Sequence, residues 1–164
     1  MVIGNGDIAG ALTDREDRLY FASGVSNSLE TRRTEYEREK KLLLSQDRHR
    51  HIVYFSSLAV FYSDTLYSQH KMRMERLIKK NFKHYTIVRI GNISWGQNPH
   101  TIINYMRARR KAGKPLEIRN TYRYIIDRDE FLHWIGMIPD WSCEINIPGQ
   151  RLTIRQIVKK YVDA

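Results

Sequence analysis

Short apolar runs alternate with longer, mostly polar stretches along the chain, and that rhythm predicts strands alternating with helices. Met1-Val2-Ile3 is β-prone and is followed at once by Gly4-Asn5-Gly6-Asp7-Ile8-Ala9-Gly10 and Ala11-Leu12, which predicts a strand, a tight turn and a helix ending near Thr13. A second strand, Leu19-Tyr20-Phe21-Ala22, ends in Ser23-Gly24. Ser26-Asn27-Ser28 then offers N-cap residues for a long polar helix from Leu29 to about Ser45. Its apolar positions, Tyr36 and Leu42 to Leu44, are sparse, so it buries a narrow stripe or meets a partner. His51-Ile52-Val53-Tyr54-Phe55 is β-branched and aromatic, too short for a typical helix, and stops at Ser56-Ser57; it predicts a buried strand. From Tyr67 to Asn81, Tyr67, Met74, Leu77 and Ile78 recur at helical spacing, and His84 to Ile90 predicts the next strand.

The remainder is less regular. It predicts a helix over Thr101 to Ala112, a Gly113-Lys114-Pro115 turn, a short strand at Leu116 to Ile118 and an aromatic segment Tyr122-Arg123-Tyr124. A helix over Asp129 to Ile138, a strand over Glu144 to Ile147 and a terminal helix from Thr153 to Val162 follow. The fold class expected is α/β, a doubly wound, mostly parallel sheet covered on both faces. With no repeat or linker, residues 1–164 form one domain: a core over 1–97 and a small α+β lobe over 98–164 packed on it.

Composition narrows the partners. The chain has 164 residues, 41% hydrophobic, enough for a core, which excludes wholesale disorder. Its 28 Lys and Arg against 18 Asp and Glu give a net charge of +10 and point to anionic partners without choosing among nucleotides, nucleic acid and membrane surfaces. No apolar run reaches the roughly 18 to 20 residues a membrane-spanning helix needs. The N-terminus shows no secretory leader and Cys143 is the one cysteine, so a cytoplasmic location is expected. The histidines, with His49 and His51 flanking an arginine, lack metal-ligand spacing, so no metal site is expected.

Two patterns carry chemistry. Gly4-x-Gly6-x-x-Ala9 fits a dinucleotide-binding turn: Gly4 permits the tight turn, Gly6 lets a pyrophosphate approach the backbone, and Ala9 lets the helix pack closely. At the start of a later helix, the i, i+4 spacing puts Tyr67 and Lys71 on one face. An ammonium beside a phenol favours phenolate, which suits proton exchange with a substrate oxygen. Ser56-Ser57, at the end of the preceding strand, supplies a hydroxyl for the same oxygen.

These motifs, in the order Gly4-x-Gly6-x-x-Ala9, Ala22-Ser23-Gly24, Ser56-Ser57, Tyr67-x-x-x-Lys71 and Val88-Arg89-Ile90-Gly91-Asn92-Ile93, resemble the extended short-chain dehydrogenase/reductases. The branch they look most like is the NAD-dependent epimerase/dehydratase and dehydrorhamnose-reductase-like enzymes of nucleotide sugars. The resemblance extends over nearly the whole chain, to Tyr124 through Asp129 and to Asn146-Ile147-Pro148-Gly149. It implies a Rossmann-like fold, NAD or NADP as cofactor and a nucleotide-sugar substrate. Gly4, Gly6 and Ala9 would lie along the pyrophosphate, and Ala22 and Ser23 along the adenosine ribose. Tyr67 would be the acid/base, Lys71 would bind the nicotinamide ribose and tune Tyr67, and Ser57 rather than Ser56 would polarise the substrate carbonyl. Asn92 would face the substrate and Arg123 a nucleotide phosphate. The family also pairs subunits through two helices each, which implies a homodimer through residues near 29 to 45 and 68 to 81.

The sequence departs from the family between the first helix and Leu19, where two strands and a helix are missing from the usual N-terminal βαβ region. That piece normally carries the residue that reads the ribose 2′ position. NAD against NADP is therefore not legible, and Asp14, Arg15 and Asp17 near the gap take no assigned role. Two other readings stay open: a nucleotide-binding protein without turnover, and a nucleic-acid binder using the aromatic-basic stretches at Tyr105 to Arg107 and Tyr122 to Tyr124.

Overall fold

The computed structural model describes residues 1–164. Its elements in chain order are β1 (Val2–Ile3), α1 (Asp7–Ala11), β2 (Leu19–Phe21), α2 (Arg33–Leu44), β3 (Ile52–Ser57), α3 (Leu66–Asn81), β4 (Tyr85–Ile90), β5 (Asn92–Ile93), α4 (Ile102–Lys111), β6 (Tyr122–Ile126), α5 (Arg128–Gly136), β7 (Cys143–Ile147), β8 (Gln150–Thr153) and α6 (Ile154–Ile157). Five strands form one parallel sheet in the order β1-β2-β3-β4-β7. A second sheet has the order β5-β6-β8, with β6 and β8 antiparallel.

The alternation of side chains along a strand decides the layers. Leu19, Phe21, Ile52, Tyr54 and Ile87 point to one face and pack with Leu43 of α2 and with Met74 and Ile78 of α3. Tyr20, Val53, Phe55, Val88 and Ile90 point to the other and pack with Ala11 of α1 and with Phe131 and Ile135 of α5. The sheet is thus covered on both faces, a Rossmann-like α/β arrangement as the hydrophobic rhythm predicts. A third core, built on Ile103, Met106, Ile125, Ile154 and Ile157, joins α4 and α6 to the second sheet. Of the residues after 98, β7 completes the main sheet and α5 covers it, while α4, β6, β8 and α6 build the smaller layer.

Several boundaries differ from the sequence expectation. The second long helix starts at Arg33, not Leu29, because Asn27 and Glu30 turn the chain first: Asn27 Oδ1 accepts from the Leu29 N–H, and Glu30 Oε1 accepts from the N–H groups of Thr31 and Arg32. Ser26, Asn27 and Ser28 do not cap it. No strand forms at Leu116 to Ile118, where the Pro115 carbonyl is taken by the Arg109 guanidinium. Gln150–Thr153 is a strand instead, paired with β6. The terminal helix divides: α6 is capped by Thr153 and Gln156, and Val158–Val162 continues as a wider π turn.

The short connection over residues 12–18 has a topological consequence. The steps from β1 to β2 and from β2 to β3 run in the same direction across the sheet, yet α1 and α2 lie on opposite faces. The two crossovers are therefore of opposite hand, although crossovers between parallel strands are nearly always right-handed. Removing two strands from between α1 and β2 of a doubly wound sheet leaves this arrangement. It also makes β1 an edge strand, and Asp14 Oδ1 blunts that edge by accepting from the Val2 N–H at 2.6 Å.

Candidate functional site

Parallel strands gather their carboxyl ends on one edge of the sheet, and a crevice there is the usual ligand site of such folds. A cavity of about 860 Å³ opens at this edge, lined by the turns after β1, β2, β3 and β4, the start of α3, the 98–101 loop and Arg123 of β6. Eight of the ten residues given a role from the sequence face it: Gly6, Ala22, Ser23, Ser57, Tyr67, Lys71, Asn92 and Arg123. Gly4 and Ala9 do not line it. Gly4 has φ +128° and lies against the Ala22 carbonyl, where a Cβ has no room, so it shapes the turn from behind. Ala9 is on the buried face of α1.

The two serines both border the cavity but differ in burial and in partner. Ser56 is buried on the α2/α3 face and its hydroxyl donates to Glu75 Oε1 at 2.6 Å. Ser57, one residue on and so on the opposite face, accepts the Ala59 N–H at 3.1 Å as the N-cap of a 3₁₀ turn over Leu58–Phe61. Its own O–H remains free to donate into the cavity. Tyr67 occupies the first turn of α3, which is fixed by a capping box between Thr65 and Ser68. Lys71 follows one turn later with Nζ 5.6 Å from the centre of the Tyr67 ring. Asn92 donates to the Tyr124 carbonyl at 3.2 Å, and one Arg123 nitrogen is held by the Tyr122 carbonyl.

Lys71 is not a free cation. Its Nζ donates to the Tyr54 hydroxyl at 3.3 Å and to the Phe55 carbonyl at 3.4 Å, and lies 3.6 Å from Glu39 Oε1. Burial would push the Glu39 carboxyl up, but Lys71, His70, Tyr54 and the Val25 N–H together hold it down at about 2. Burial pushes the Tyr54 phenol well above its ordinary value, with the Glu39 carboxylate adding to the effect, so it stays a donor.

Sequence reading missed three contributors. Glu39 shares the inward stripe of α2 with Tyr36 and Leu43, and a carboxylate on that stripe was the available signal. Arg38 faces the cavity and reaches back to Ser23, with Nη1 3.3 Å from the hydroxyl and Nη2 3.2 Å from the carbonyl. Asp7 accepts the N–H groups of Gln97 and Asn98, both at 2.9 Å, and so ties the loop after β5 to the start of α1. Nothing in local sequence marks either bond. Asp14, Arg15 and Asp17 lie instead at the amino end of the sheet: Asp14 against the start of β1, and Arg15 paired with Asp17.

No family model matches the sequence, and no curated protein matches it. Solved structures do. The chain is similar to WbmG of Bordetella bronchiseptica in complex with NAD and UDP, at 15% identity and TM-score 0.64, over 90% of this chain and 56% of that one. It is similar to dTDP-4-dehydrorhamnose reductase of Bacillus anthracis in complex with NADP, at 13% identity and TM-score 0.65, over 90% and 61%. Thermus thermophilus UDP-glucose 4-epimerase in complex with NAD matches at 13% identity and TM-score 0.63, again over 90% and 61%. At these identities the likeness is one of fold, and the chain spans between half and two-thirds of the length of these proteins.

Proposed function

We propose that the chain is a shortened member of the extended short-chain dehydrogenase/reductases that binds NAD or NADP and acts on a nucleotide-linked sugar. The observation that carries the reading is the convergence of Gly6, Ser57, Tyr67 and Lys71 on one cavity at the carboxyl edge of a parallel sheet. Three proteins of the same fold were solved with NAD or NADP. The residues fit such a ligand: a Cβ at Gly6 would meet nothing within 4 Å, which leaves its backbone open to close approach by a pyrophosphate. Arg38 and Arg123 offer guanidinium groups to phosphates.

When bound, the nicotinamide supplies hydride chemistry. Ser57 orients the substrate oxygen by donating its free O–H, Tyr67 gives a proton to that oxygen or takes one from it, and Lys71 donates to a ribose hydroxyl. Asn92 faces the substrate. The Tyr67 hydroxyl has no hydrogen-bond partner within the chain and is not buried, as this role requires.

Calorimetric titration with NAD, NADH, NADP and NADPH tests the first step, with saturable binding of at least one expected. Absence of binding by all four would overturn the reading and turn attention to the basic surface. Binding without conversion of any nucleotide sugar would leave a nucleotide-binding protein without turnover. We further propose a homodimer through residues 29 to 45 and 68 to 81, which span α2 and α3. Sedimentation at micromolar concentration is expected to give twice the chain mass, and a monomer there counts against it.

A further inference from the structure

Glu39 has no solvent exposure, and a carboxylate so placed needs compensation from several partners. Its Oε1 accepts the Tyr54 hydroxyl at 2.6 Å and lies 3.6 Å from Lys71 Nζ. Its Oε2 accepts the Val25 N–H at 2.8 Å and bonds His70 Nε2 at 2.9 Å. The His70 ring is in turn packed on Tyr36, with centres 4.5 Å apart. Three other segments of chain, the turn at Val25, β3 and α3, thus converge on this one carboxylate of α2. Lys71 is itself 3% exposed, yet it lines the cavity beside Gly24. A Cβ at Gly24 would come 2.7 Å from Lys71 Nζ and 3.1 Å from Glu39 Oε1, so the bare glycine leaves room for the pair.

We infer that Glu39 is a positioning residue that fixes the Lys71 ammonium and cancels its charge, so that this end of the cavity exerts no pull on a phosphate. The physical ground is that one buried negative charge cancels one buried positive charge. An ammonium whose charge is cancelled keeps its directional N–H groups but loses its pull on anions. Anionic parts of a ligand are left to Arg38 and Arg123, which are not paired in this way: Arg38 touches only Glu35 at 3.3 Å among the acids, and Arg123 none. The consequence for a ligand rests on the dinucleotide reading above; the pairing does not.

The test is a titration of the dinucleotide that binds, at several NaCl concentrations, for the protein and for Glu39→Gln, Glu39→Asp, Lys71→Met and the double variant Glu39→Gln/Lys71→Met. Glu39→Gln leaves the ammonium uncompensated, so its affinity is expected to depend more steeply on salt than that of the parent. At high salt it should bind about tenfold more weakly, because the donor is no longer held in place. Glu39→Asp, which keeps the charge, and the double variant, which has neither charge, should keep the shallow parental dependence. A purely structural Glu39 would lower the melting temperature without changing the salt slope. Parental affinity and slope in Glu39→Gln would overturn the inference.

Thermal unfolding reads the pairing without any ligand. Lys71→Met strands the carboxylate and is expected to lower Tm by about 5 to 10 °C, of which adding Glu39→Gln restores at least half. Additive losses would overturn the pairing. Restoration of Tm in a protein that binds no dinucleotide would instead keep the pairing and overturn its consequence for a ligand together with the proposed function.

Discussion

Arg89→Met is expected to cost about 3 to 5 kcal/mol of folding stability, a large share of the roughly 5 to 15 kcal/mol that holds a domain together. Arg89 lies in β4 on the face covered by α3, and its guanidinium is enclosed by carboxylates from two other elements. Nε and Nη2 bond Glu75 of α3 at 2.9 and 2.6 Å, and Nη2 also bonds Glu144 of β7 at 2.6 Å. Nη1 reaches Asn146 Oδ1 at 3.3 Å, and the Phe61 ring lies over the guanidinium at 5.1 Å. Glu144 keeps Lys79 when Arg89 is removed, but Glu75 keeps only the Ser56 hydroxyl. The loss comes from that stranded carboxylate, so Glu75→Gln on top of Arg89→Met should recover most of it. Urea unfolding followed by circular dichroism reads both steps. An Arg89→Met midpoint equal to the parent's would show that the cluster holds nothing together.

Tyr67→Phe is expected to lower turnover of a nucleotide-sugar substrate by about 10²- to 10⁴-fold, the range general acid/base groups contribute, with dinucleotide affinity within about twofold of the parent. The change removes one oxygen. The ring, which sits 5.6 Å from Lys71 Nζ in the first turn of α3, is kept, and Lys71 keeps its bonds to Tyr54 and Phe55. Since the Tyr67 hydroxyl bonds nothing within the chain, stability should hardly change. A steady-state assay beside a binding titration separates the two effects. Unchanged turnover would remove Tyr67 from the mechanism, and a parallel loss of affinity would make it a binding group.

The two predictions share a geometric origin. Ser56 and Ser57 both line the cavity, but strand alternation turns the Ser56 hydroxyl to Glu75 and leaves the Ser57 O–H without an acceptor in the chain. Ser56 therefore borders the cavity with its hydroxyl committed to the structural cluster, and Ser57 borders it with its O–H free.

What the sequence alone determined is what local pattern encodes. The short, unbroken β-branched and aromatic run of Ile52 to Phe55 marks the central strand, helical spacing marks Tyr67 to Asn81, and the glycines after Ile3 mark a turn feeding a helix. Because ligands sit at the carboxyl ends of parallel strands, residues at or just past those ends, Gly6, Ser23, Ser57 and Asn92, are legible as candidates from the sequence. The helix α2 starts four residues later than its sequence pattern predicts because Glu30, a poor cap by residue type, uses its side chain to bond the backbone ahead of Arg33. Only the tertiary structure decided that Lys71 sits on Glu39, that Asp7 ties down the loop at Gln97 and Asn98, and that Arg38 turns back to Ser23. These partners are far apart along the chain. Periodicity tells a residue which face it occupies but not which element will cover that face, and that choice is made by the strand order and the hand of each crossover.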